Sequence, residues 1–498
     1  MCAITGLIEL TNSTRSVSPE IVKRMANAQI HRGPDEAGHF CDPGIALGHR
    51  RLSLVGLENG RQPIQNEDGS IVVIANGEFF DHVEKRASLE SKGHQFSTRS
   101  DCEILVHLWE EYGINMLRHL RGQFAFALWY RKKRSLILAR DRFGIVPLHW
   151  TKAGDRLLFS SEIKGLLASG LVPAESDHRG LDHIFSFFAI PSRRTCFKGI
   201  PSILPGHFLK IDGNTGSIDK HQYWDSNFPD QGDEYNPGIK KAAAEFGEHL
   251  TEATRLRLRA DVPLGCYLSG GVDSTTLLQL AAKTRADQKS VPAFTIEIPC
   301  PKLNELSPAK HAAEQVGAKQ HVITCDANTI GNAFPQLVEA CEAPVMDTSS
   351  AALLCLSGLV REQGFKTVLS GEGADEGLAG YPWFKTNHIM SLPDHGEFRP
   401  SNIIRRMVGK VTGRDESWAE ASRHQSLIGG APAMSDFYGL LKKGRRIFYS
   451  HTMWDEIDGH LPYEDLKLDL DKMKRWDPLN QSLYFGYKTI LPGLLMNQ

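Results

Sequence analysis

The 498-residue sequence predicts two domains of different class, a strand-rich domain at the N-terminus and an α/β domain with a parallel sheet after it. Two apolar runs, 122–129 and 135–141, predict paired strands in the first domain. Beyond residue 260, short apolar runs alternate with helical segments, a pattern typical of a parallel sheet with helices on both faces. Residues 226–238, rich in Pro, Gly, Asp and Asn, predict the connection between the two domains.

The composition excludes partners that depend on a strong overall charge. The sequence has 57 Lys and Arg against 59 Asp and Glu, a formal net charge of −2, so no overall field recruits nucleic acid or an anionic membrane. We expect neither partner, since no apolar run is long enough to span a membrane. Nine cysteines without a C-x-x-C pair argue against a disulfide framework and predict a cytoplasmic protein.

The first domain begins with Cys2 at the tip of an alternating apolar strand. We expect Met1 to be removed because residue 2 is small, and Cys2 would then carry both a thiol and a free α-amine. An α-amine has an unperturbed pKa of about 7.7–8.0, so it can serve as the base of the thiol. A cysteine at position 2 is usually a coincidence, so this interpretation depends on the motifs that follow.

The next elements end in polar turns. Residues 47–55 predict a strand that carries a basic pair, and residues 71–78 predict a buried strand that ends in Asn76-Gly77-Glu78. Ser100 or Asp101 is expected to cap the helix that starts near residue 104. Taken singly, Arg51 and Asp101 could form a surface pair, and Asn76-Gly77 could be a plain hairpin turn.

Taken together, the motifs of this part resemble the class II glutamine amidotransferase domain. They are Cys2, R-L-S at 51–53, N-G-E at 76–78, S-D-C-E at 100–103, R-D-R-F-G at 140–144 and S-E-I-K-G-L-L at 161–167. They follow that family's order and spacing, and the resemblance runs to about Trp224. It implies an α+β N-terminal-nucleophile sandwich (αββα), two antiparallel sheets between helices, and a glutaminase domain spanning residues 2–210.

The resemblance implies that the Cys2 thiolate attacks the amide carbon of glutamine. Asn76 and the Gly77 N–H would stabilise the oxyanion, where losing one donor typically costs about 3 kcal/mol of barrier. Arg51 would pair with the substrate α-carboxylate, and Asp101 and Glu78 would hold the α-ammonium and the side-chain amide. The full glutamine-binding set is Arg51, Leu52, Ser53, Val55, Asn76, Gly77, Glu78 and Asp101. Asp81, where the family usually has Asn, is expected to alter local hydrogen bonding without abolishing cleavage.

A second motif, Leu268-Ser269-Gly270-Gly271-Val272-Asp273-Ser274, lies between a predicted strand, 262–267, and a predicted helix, 275–283. Glycines let the backbone approach a ligand closely, and a helix start attracts phosphate. Asp273 in the same turn suggests Mg²⁺. No lysine follows the glycines, so the motif is not a Walker P-loop. A tight turn without a ligand is the plainer alternative.

The elements around this motif complete the α/β pattern. We expect a linker at 211–238 that includes a hairpin-like turn at 213–216, then a helix at 239–260. The later strands are predicted at 293–298, 321–324 and 366–369, and the helices at 307–316 and 350–363. The last strand ends in Ser370-Gly371-Glu372-Gly373-Ala374-Asp375-Glu376. Because ligands bind at the carboxyl ends of parallel strands, the two loops are expected to converge.

The motif S-G-G-x-D-S resembles the PP-loop of enzymes that split ATP between its α and β phosphates. Residues 262–381 resemble the synthetase domain of glutamine-dependent asparagine synthetases, here expected to span 239–498. The resemblance implies ATP and Mg²⁺ as cofactors. It also implies a set of ATP-binding residues. Leu268 and Ile296 would contact the adenine, and Ser370 and Gly371 would line the nucleotide. The pyrophosphate would be held by Ser269, Gly270, Gly271 and Ser274. Asp273 and Asp375 would hold Mg²⁺, and Glu372 would lie near the acyl-adenylate.

Two departures from the family concern the acceptor. Asn304-Glu305 stands where the family commonly has Asp-Glu. The sequence ends at Gln498 without the E-x-R-x-P-F-L-D stretch and the later lysine of the family, so we expect the second domain to be short at its C-terminus.

The leading hypothesis is a glutamine-dependent amidotransferase that makes an amide from an ATP-activated carboxylate, releasing AMP and pyrophosphate. Aspartate is the default acceptor, and a specialised-metabolite carboxylate is the alternative. A glutamine- and nucleotide-binding scaffold with a degenerate synthetase half is a hypothesis of another class. A β-lactam- or macrolactam-forming relative is disfavoured by the intact Cys2 set. The expected partners are small molecules, and the oligomeric state stays open, with a homodimer as one option.

Overall fold

The computed structural model describes residues 1–11, 17–285, 290–392 and 418–495, together with residues 400, 401, 403, 404 and 407. The strands are β1 Ala3–Glu9, β2 Glu36–Asp42, β3 Ile45–Arg51, β4 Ile64–Gln65, β5 Ile71–Phe79, β6 Gly122–Tyr130, β7 Ser135–Arg140, β8 His149–Ala153, β9 Arg156–Ser160, β10 His207–Asp212, β11 Ile218–Gln222, β12 Leu264–Tyr267, β13 Ala293–Glu297, β14 Gln320–Thr324 and β15 Thr367–Leu369. The helices of the first part are α1 Pro19–Asn27, α2 His82–Glu90, α3 Ile104–Tyr112, α4 Met116–His119, α5 Ile163–Leu167 and α6 His178–Phe187. Those of the second part are α7 Ile239–Arg257, α8 Val272–Thr284, α9 Leu306–Gln315, α10 Ala327–Cys341, α11 Ser349–Glu362, α12 Ala374–Leu378, α13 Pro382–Ser391, α14 Trp418–Ile428, α15 Ala433–Phe448, α16 His451–Ile457, α17 Leu470–Met473 and α18 Pro478–Lys488.

Two antiparallel sheets form the N-terminal domain. One has the order β2-β3-β1-β9-β8 and the other β11-β10-β7-β6-β5-β4. Their facing surfaces share one buried cluster that includes Ile4 and Ile8 of the first sheet and Val72, Ile74 and Trp129 of the second. Alternate residues of a strand point to opposite faces, so each sheet keeps a second apolar face for helices.

Helices cover both outer faces. α3 packs on β5 and β6 through a cluster that contains Leu105, Leu108 and Phe126. α1 and α5 cover the other sheet through Val22, Met25 and neighbouring residues. The predicted αββα sandwich is therefore confirmed.

The second domain is built on a parallel sheet with the order β14-β13-β12-β15. Cys266 on β12 pairs with Ala293 on one side and Leu369 on the other. Because β12 and β15 are parallel neighbours, the loops at 268–271 and 370–373 leave the sheet at one edge. The expected convergence of the two motifs is confirmed.

The structure differs from the sequence predictions at several boundaries. The strand predicted at 47–55 ends at Arg51, where the chain turns into a loop that lines a cavity. α8 starts at Val272, so Asp273 lies in its first turn. β11 lies inside the predicted linker and pairs with β10, so the second sheet extends to Gln222.

One long helix, α10, was not predicted at all. It contains Gly331 and Pro335, and both residues disfavour a helix interior. Residues 382–459 contain α13 to α16 and lie partly outside the described residues. No helix in the described part of the chain is both long and apolar enough to cross a bilayer.

Candidate active sites

The first site is a cavity between the two sheets, beside the start of β1. β1 positions Cys2, the loop after β3 supplies Leu52 to Val55, and the end of β5 supplies Asn76, Gly77 and Glu78. The residues that line it are Met1, Cys2, Arg51, Leu52, Leu54, Val55, Gln62, Asn76, Gly77, Glu78, Ser100, Asp101, Cys102 and Gln123. The structure thus brings together every predicted residue of this site except Ser53.

The Cys2 thiol lies against the backbone of the β3 loop. The Leu52 N–H donates to Sγ at 3.4 Å, and Arg32 Nε donates to the Cys2 carbonyl at 3.0 Å. Burial raises the pKa of the Cys2 thiol, and the nearby terminal ammonium lowers it in part. At the terminus of the chain, burial and then the charge of Arg32 lower the pKa of the Met1 α-amine to about 6. An amine in this environment is neutral near pH 7 and can accept a proton.

Asn76 carries a buried amide without a protein partner. Its side chain is fully buried, and neither Nδ2 nor Oδ1 is hydrogen-bonded within the described part of the chain. A buried amide that lacks partners costs free energy, commonly about 1–3 kcal/mol, unless a ligand supplies them. Since Asn76 and Gly77 line the cavity of Cys2, a ligand in that cavity would supply the partner.

Two carboxylates, Asp101 and Glu78, also line the cavity. Asp101 Oδ2 accepts the Phe79 N–H at 2.9 Å, which fixes its orientation. Burial raises the pKa of Asp101. Burial, and next the charge of Asp101, raise the pKa of Glu78 to about 7. A cationic group between the two would relieve their repulsion.

Arg51, which lines the cavity, and Ser53, which does not, both hold the loop beside Cys2. Arg51 Nη1 lies 2.7 Å from Glu36 Oε2, and Nη2 donates to the carbonyls of Val55 and Gly56. The Ser53 N–H donates to Asp35 Oδ2 at 2.8 Å. Asp81 lies at the start of α2, 3.9 Å from Lys85 Nζ, outside the cavity lining.

Gln62, Ser100 and Gln123 also line the cavity, and sequence reasoning missed Gln62 and Gln123. Gln62 donates to the Ala75 carbonyl and accepts the Ala75 N–H, so it supports the strand beside Asn76. Neither residue lies in a polar turn, the signal that identified the other members.

The second site is a cleft at the carboxyl edge of the parallel sheet. The loop after β12 contacts the loop after β15, since a Cβ on Gly371 would lie 3.2 Å from Asp273 Cβ. Every predicted residue of this site except Gly270 lines the cleft, namely Leu268, Ser269, Gly271, Asp273, Ser274, Ile296, Ser370, Gly371, Glu372 and Asp375. Tyr267, Phe294, Glu305, Leu353, Leu356, Gly373, Glu376 and Tyr381 complete it.

The turn before α8 has a backbone that only glycine adopts readily. Gly270 has φ +83°, and a Cβ there would lie 2.5 Å from the Ala309 nitrogen at the start of α9. Ser274 Oγ accepts the Ser269 N–H at 3.2 Å and lies 3.0 Å from Ser269 Oγ. The hydroxyls and the helix start therefore face the cleft together, an arrangement suited to a phosphate.

Acidic side chains also line the cleft. Burial and then the charge of Asp273 raise the pKa of Asp375. The pKa of Glu372 is also raised, first by burial and then by the charges of Glu376 and Asp375. Carboxylate oxygens are the ligands that Mg²⁺ prefers, and a divalent cation between Asp273 and Asp375 would relieve their repulsion. The pair therefore fits the metal site that the sequence predicts.

Sequence reasoning did not predict Glu376 and Tyr381 as members of the cleft. The Tyr381 hydroxyl donates to Glu376 Oε1, and Tyr381 stacks on Trp383. The acidic run 372–376 indicated the carboxylate, but only the turn after α12 brings the tyrosine back to it.

A third cleft, with a volume of about 180 Å³, is lined by residues of both domains. Its lining includes Arg32, which binds the Cys2 carbonyl, and Glu162, 2.9 Å from Arg32 Nη1. Burial raises the pKa of Glu162, but contacts with His31 and Arg32 outweigh it and hold the value at about 2. Tyr487 also lines this cleft, and its pKa is raised by burial and by the charge of Glu376 in the second site.

Family models match both parts of the chain. The model described as glutamine amidotransferase domain matches residues 1–224, and the model described as asparagine synthase matches residues 245–498.

Three curated relatives illustrate the range of similar proteins. A protein named Amidase chyE, from Penicillium rubens, is 37% identical over 73% of the chain, and the match spans 55% of that protein's length. Amidase chry2 from Gibberella zeae is 30% identical, with 100% of the chain and 78% of the relative covered. Asparagine synthetase [glutamine-hydrolyzing] 3 from Bacillus subtilis is 28% identical, with 91% and 75% covered.

Proposed function

The chain belongs to the asparagine synthase family and carries a glutamine amidotransferase domain, and on this basis we propose that it is a glutamine-dependent amidotransferase. Glutamine is cleaved at Cys2, and the ammonia is joined to a carboxylate that ATP has activated. The observation that carries the proposal is that one chain holds both a cavity lined by Cys2 and Asn76 and a cleft lined by Ser269, Asp273 and Asp375.

At the first site, the Cys2 thiol gives its proton to the free α-amine and attacks the amide carbon of glutamine. The Asn76 amide and the Gly77 N–H stabilise the oxyanion, a role that the unpartnered Asn76 side chain supports. Collapse of the intermediate expels ammonia and leaves a thioester, which water hydrolyses to glutamate. Glu78 and Asp101 bind the α-ammonium of the substrate.

Arg51 has a double role in this proposal. Its contacts with Glu36 and with the Val55 and Gly56 carbonyls hold the loop that closes over Cys2. Its positive charge also attracts the substrate α-carboxylate.

At the second site, an acceptor carboxylate oxygen attacks the α-phosphorus of ATP and pyrophosphate leaves. Ser269, Gly271 and Ser274 hold the phosphates at the start of α8. Asp273 and Asp375 would hold Mg²⁺, which would supply positive charge beside the pyrophosphate leaving group. Ammonia then attacks the acyl carbon of the adenylate, an amide forms and AMP leaves.

Two classes of acid are candidates for the acceptor. Aspartate is the default, and the relatives named asparagine synthetase support it. The described lining of the second cleft includes neither lysine nor arginine. It includes five acidic residues, which are Asp273, Glu305, Glu372, Asp375 and Glu376. This lining favours the alternative, an acid of specialised metabolism that carries one carboxylate on a neutral or cationic body.

The decisive experiment measures glutamate, AMP and pyrophosphate in parallel. The full chain is given glutamine, Mg²⁺-ATP and a panel of acids that contains aspartate, neutral monocarboxylic acids and amino-bearing monocarboxylic acids. We expect AMP and pyrophosphate in equal amounts with one class of acid only. Nucleotide binding without AMP release across the whole panel would favour a binding scaffold instead.

The assignment of the first site is tested with Cys2→Ala and with Cys41→Ala as the matched control, since Cys41 is exposed on β2. Cys2→Ala is expected to lose glutaminase activity and to keep synthesis when ammonia is supplied. Cys41→Ala should behave as the wild type. Normal glutamine consumption by Cys2→Ala would refute the assignment.

A further inference from the structure

Four side chains of metal-ligand type meet on the outer side of the first domain, in a cluster separate from the lining of either active site. Glu67 lies in the turn between β4 and β5, and His94 lies in the segment between α2 and α3. His107 and Glu110 lie three residues apart on α3, so they share one face of that helix. Three segments that are distant in sequence therefore contribute to a single cluster.

The cluster has the dimensions of a tetrahedral metal site. His94 Nδ1 and His107 Nδ1 each lie 3.4 Å from Glu110 Oε2, and His107 Nδ1 lies 3.8 Å from Glu67 Oε2. All four atoms lie within 4.8 Å of one another. A well-formed N–H···O bond measures about 2.7–3.2 Å. Ligand atoms about 2.0–2.1 Å from a tetrahedral Zn²⁺ lie roughly 3.3 Å apart, which is closer to the observed spacing.

Other groups hold the outer atoms of these side chains. Glu67 Oε1 accepts the Gln95 N–H at 2.9 Å, and Glu110 Oε1 accepts Asn66 Nδ2 at 2.8 Å. His94 Nε2 lies 3.1 Å from Glu111 Oε1.

A carboxylate also lies near the outer nitrogen of the second histidine, at a longer distance and in a buried setting. His107 is only 1% exposed, its Nε2 has no hydrogen-bond partner in the described part of the chain, and Glu103 Oε1 lies 4.0 Å away. A carboxylate behind the outer nitrogen of a histidine orients metal-binding histidines in proteins. The inner atoms, Glu67 Oε2, His94 Nδ1, His107 Nδ1 and Glu110 Oε2, thus face one common point.

We propose that Glu67, His94, His107 and Glu110 bind one Zn²⁺ ion as a structural site. Two imidazole nitrogens and two carboxylate oxygens form a donor set that suits zinc, and four protein ligands close the coordination sphere. The side chains of Glu67 and Glu110 are 38% and 30% exposed, so the ion can enter from solvent.

The site would stabilise the segment that leads to the glutamine cavity. Residues 91–100 connect α2 to Asp101, which lines that cavity. Glu103, behind His107, also accepts the N–H groups of Ser97 and Thr98. Zinc would therefore join the two ends of this segment to the β4–β5 turn.

The test uses the full chain after treatment with a chelator, in a Cys2→Ala background that removes the active-site thiol as a competing ligand. Zn²⁺ binding is measured by calorimetry, and Co²⁺ is used as a probe because tetrahedral coordination gives it strong visible absorption. We expect one ion per chain and slower proteolysis of residues 91–100 with metal bound. His94→Gln and Glu110→Gln should weaken binding at least about 100-fold, and Glu111→Gln about 10–100-fold.

His119→Gln is the matched control, since His119 is an exposed histidine of the same region that stacks on Tyr112 instead of facing the cluster. Its affinity should equal that of the parent. His107 is left intact because its burial makes misfolding a competing explanation. Absence of stoichiometric Zn²⁺ and Co²⁺ binding by the parent would overturn the proposal, as would equal binding by His94→Gln and Glu110→Gln.

Discussion

Among single residues, Asn76 offers the sharpest distinction between a structural and a functional role. Its amide is buried without a partner among the described residues, so the folded state gains little from it. We predict that Asn76→Ala lowers the glutaminase kcat by about 10²–10³-fold, the usual effect of losing an oxyanion donor. The melting temperature should stay the same or rise. Steady-state kinetics measures kcat, and thermal unfolding of the same preparation measures the melting temperature.

Asn66→Ala is the contrasting variant, because the Asn66 side chain accepts the Ile71 N–H and donates to Asp68 and Glu110. It should destabilise the fold by about 1–3 kcal/mol while glutaminase kcat is retained. If Asn76→Ala instead lost stability and kept kcat, Asn76 would be a structural residue.

The raised pKa of Glu78 leads to a predicted pH dependence of glutamine binding. Burial and the charge of Asp101 raise its pKa to about 7, so the carboxyl is protonated below that pH and ionised above it. Only the ionised form attracts the substrate ammonium, so KM for glutamine should fall as the pH rises from about 6 to about 8. Glu78→Gln should remove this change.

Glu84→Gln is the control for this titration. Glu84 lies on the neighbouring helix α2, and its pKa is about 2 because of Arg259, so it stays ionised throughout the range. The variant should keep the change in KM. A pH-independent KM in the wild type would contradict the role of Glu78.

Sequence reasoning predicted individual residues well where polar residues lie at the end of a predicted strand or just beyond it. Asn76 and Gly77, near the end of β5, and Asp273 and Asp375, beyond β12 and β15, all line cavities. Ser53 was predicted with them but binds Asp35. A motif identifies the residues of a turn, but it does not say which way each one faces.

At the scale of elements, one carboxylate links the two domains. Glu342 follows α10, and its two oxygens accept the Ile163 and Lys164 N–H groups, each at 2.6 Å, at the start of α5 in the first domain. It thus caps a helix of the other domain. We predict that Glu342→Gln weakens this contact by about 1–3 kcal/mol, since an amide offers only one acceptor oxygen. Calorimetry should show the transitions of the two domains separating.

Glu339→Gln is the matched control for the helix cap. Glu339 lies on α10 and contacts Lys164 through its carbonyl oxygen, so a change of its side chain leaves the contact intact. Its unfolding profile should match the wild type. Coincident profiles for both variants would show that the cap contributes little.

The same region contains a helix that the sequence did not predict, in contrast to the strands. The strands of both domains follow apolar periodicity, and the pairs β6–β7 and β12–β15 form as expected. α10 was not predicted from the sequence, because tertiary contacts override the residues in it that disfavour a helix. Leu337 and neighbouring side chains pack against Ala351 and Leu354 of α11.

At the scale of the whole molecule, the contacts between domains connect the loops of both sites. Lys366 Nζ, just before β15, lies 2.6 Å from Asp35 Oδ2, and the same oxygen accepts the Ser53 N–H of the loop beside Cys2. Asp261, before β12, accepts the Gly56 N–H at 2.8 Å and donates its own N–H to the Leu54 carbonyl. The loop over the first site is therefore bound to residues that precede the strands of the second site.

Sequence reasoning did not predict the third cleft, because segments far apart in the chain line it. Arg32, His149, Phe188, Ala343 and Tyr487 all contribute, and their sequence neighbours show no shared pattern. Only the packing of the two domains brings them together.

The cleft leads to a prediction about the fate of ammonia. Ala343 lies in the connection between α10 and α11, is half-buried and lines the cleft. Ala343→Phe would fill part of the empty space without touching either set of active-site residues. If ammonia crosses here, the variant should cleave glutamine at the wild-type rate and use added ammonia normally, while amide formed per glutamine falls and free ammonia appears in the medium.

Ala327→Phe is the control for this experiment, because Ala327 is exposed at the start of α10 and lies outside the cleft lining. Its ratio of amide to glutamate should equal that of the wild type. A ratio that falls in Ala343→Phe alone would place the ammonia route in this cleft. The chemistry at both active sites would be intact, and only the space inside the cleft would have changed. An unchanged ratio in both variants would mean that ammonia takes another path.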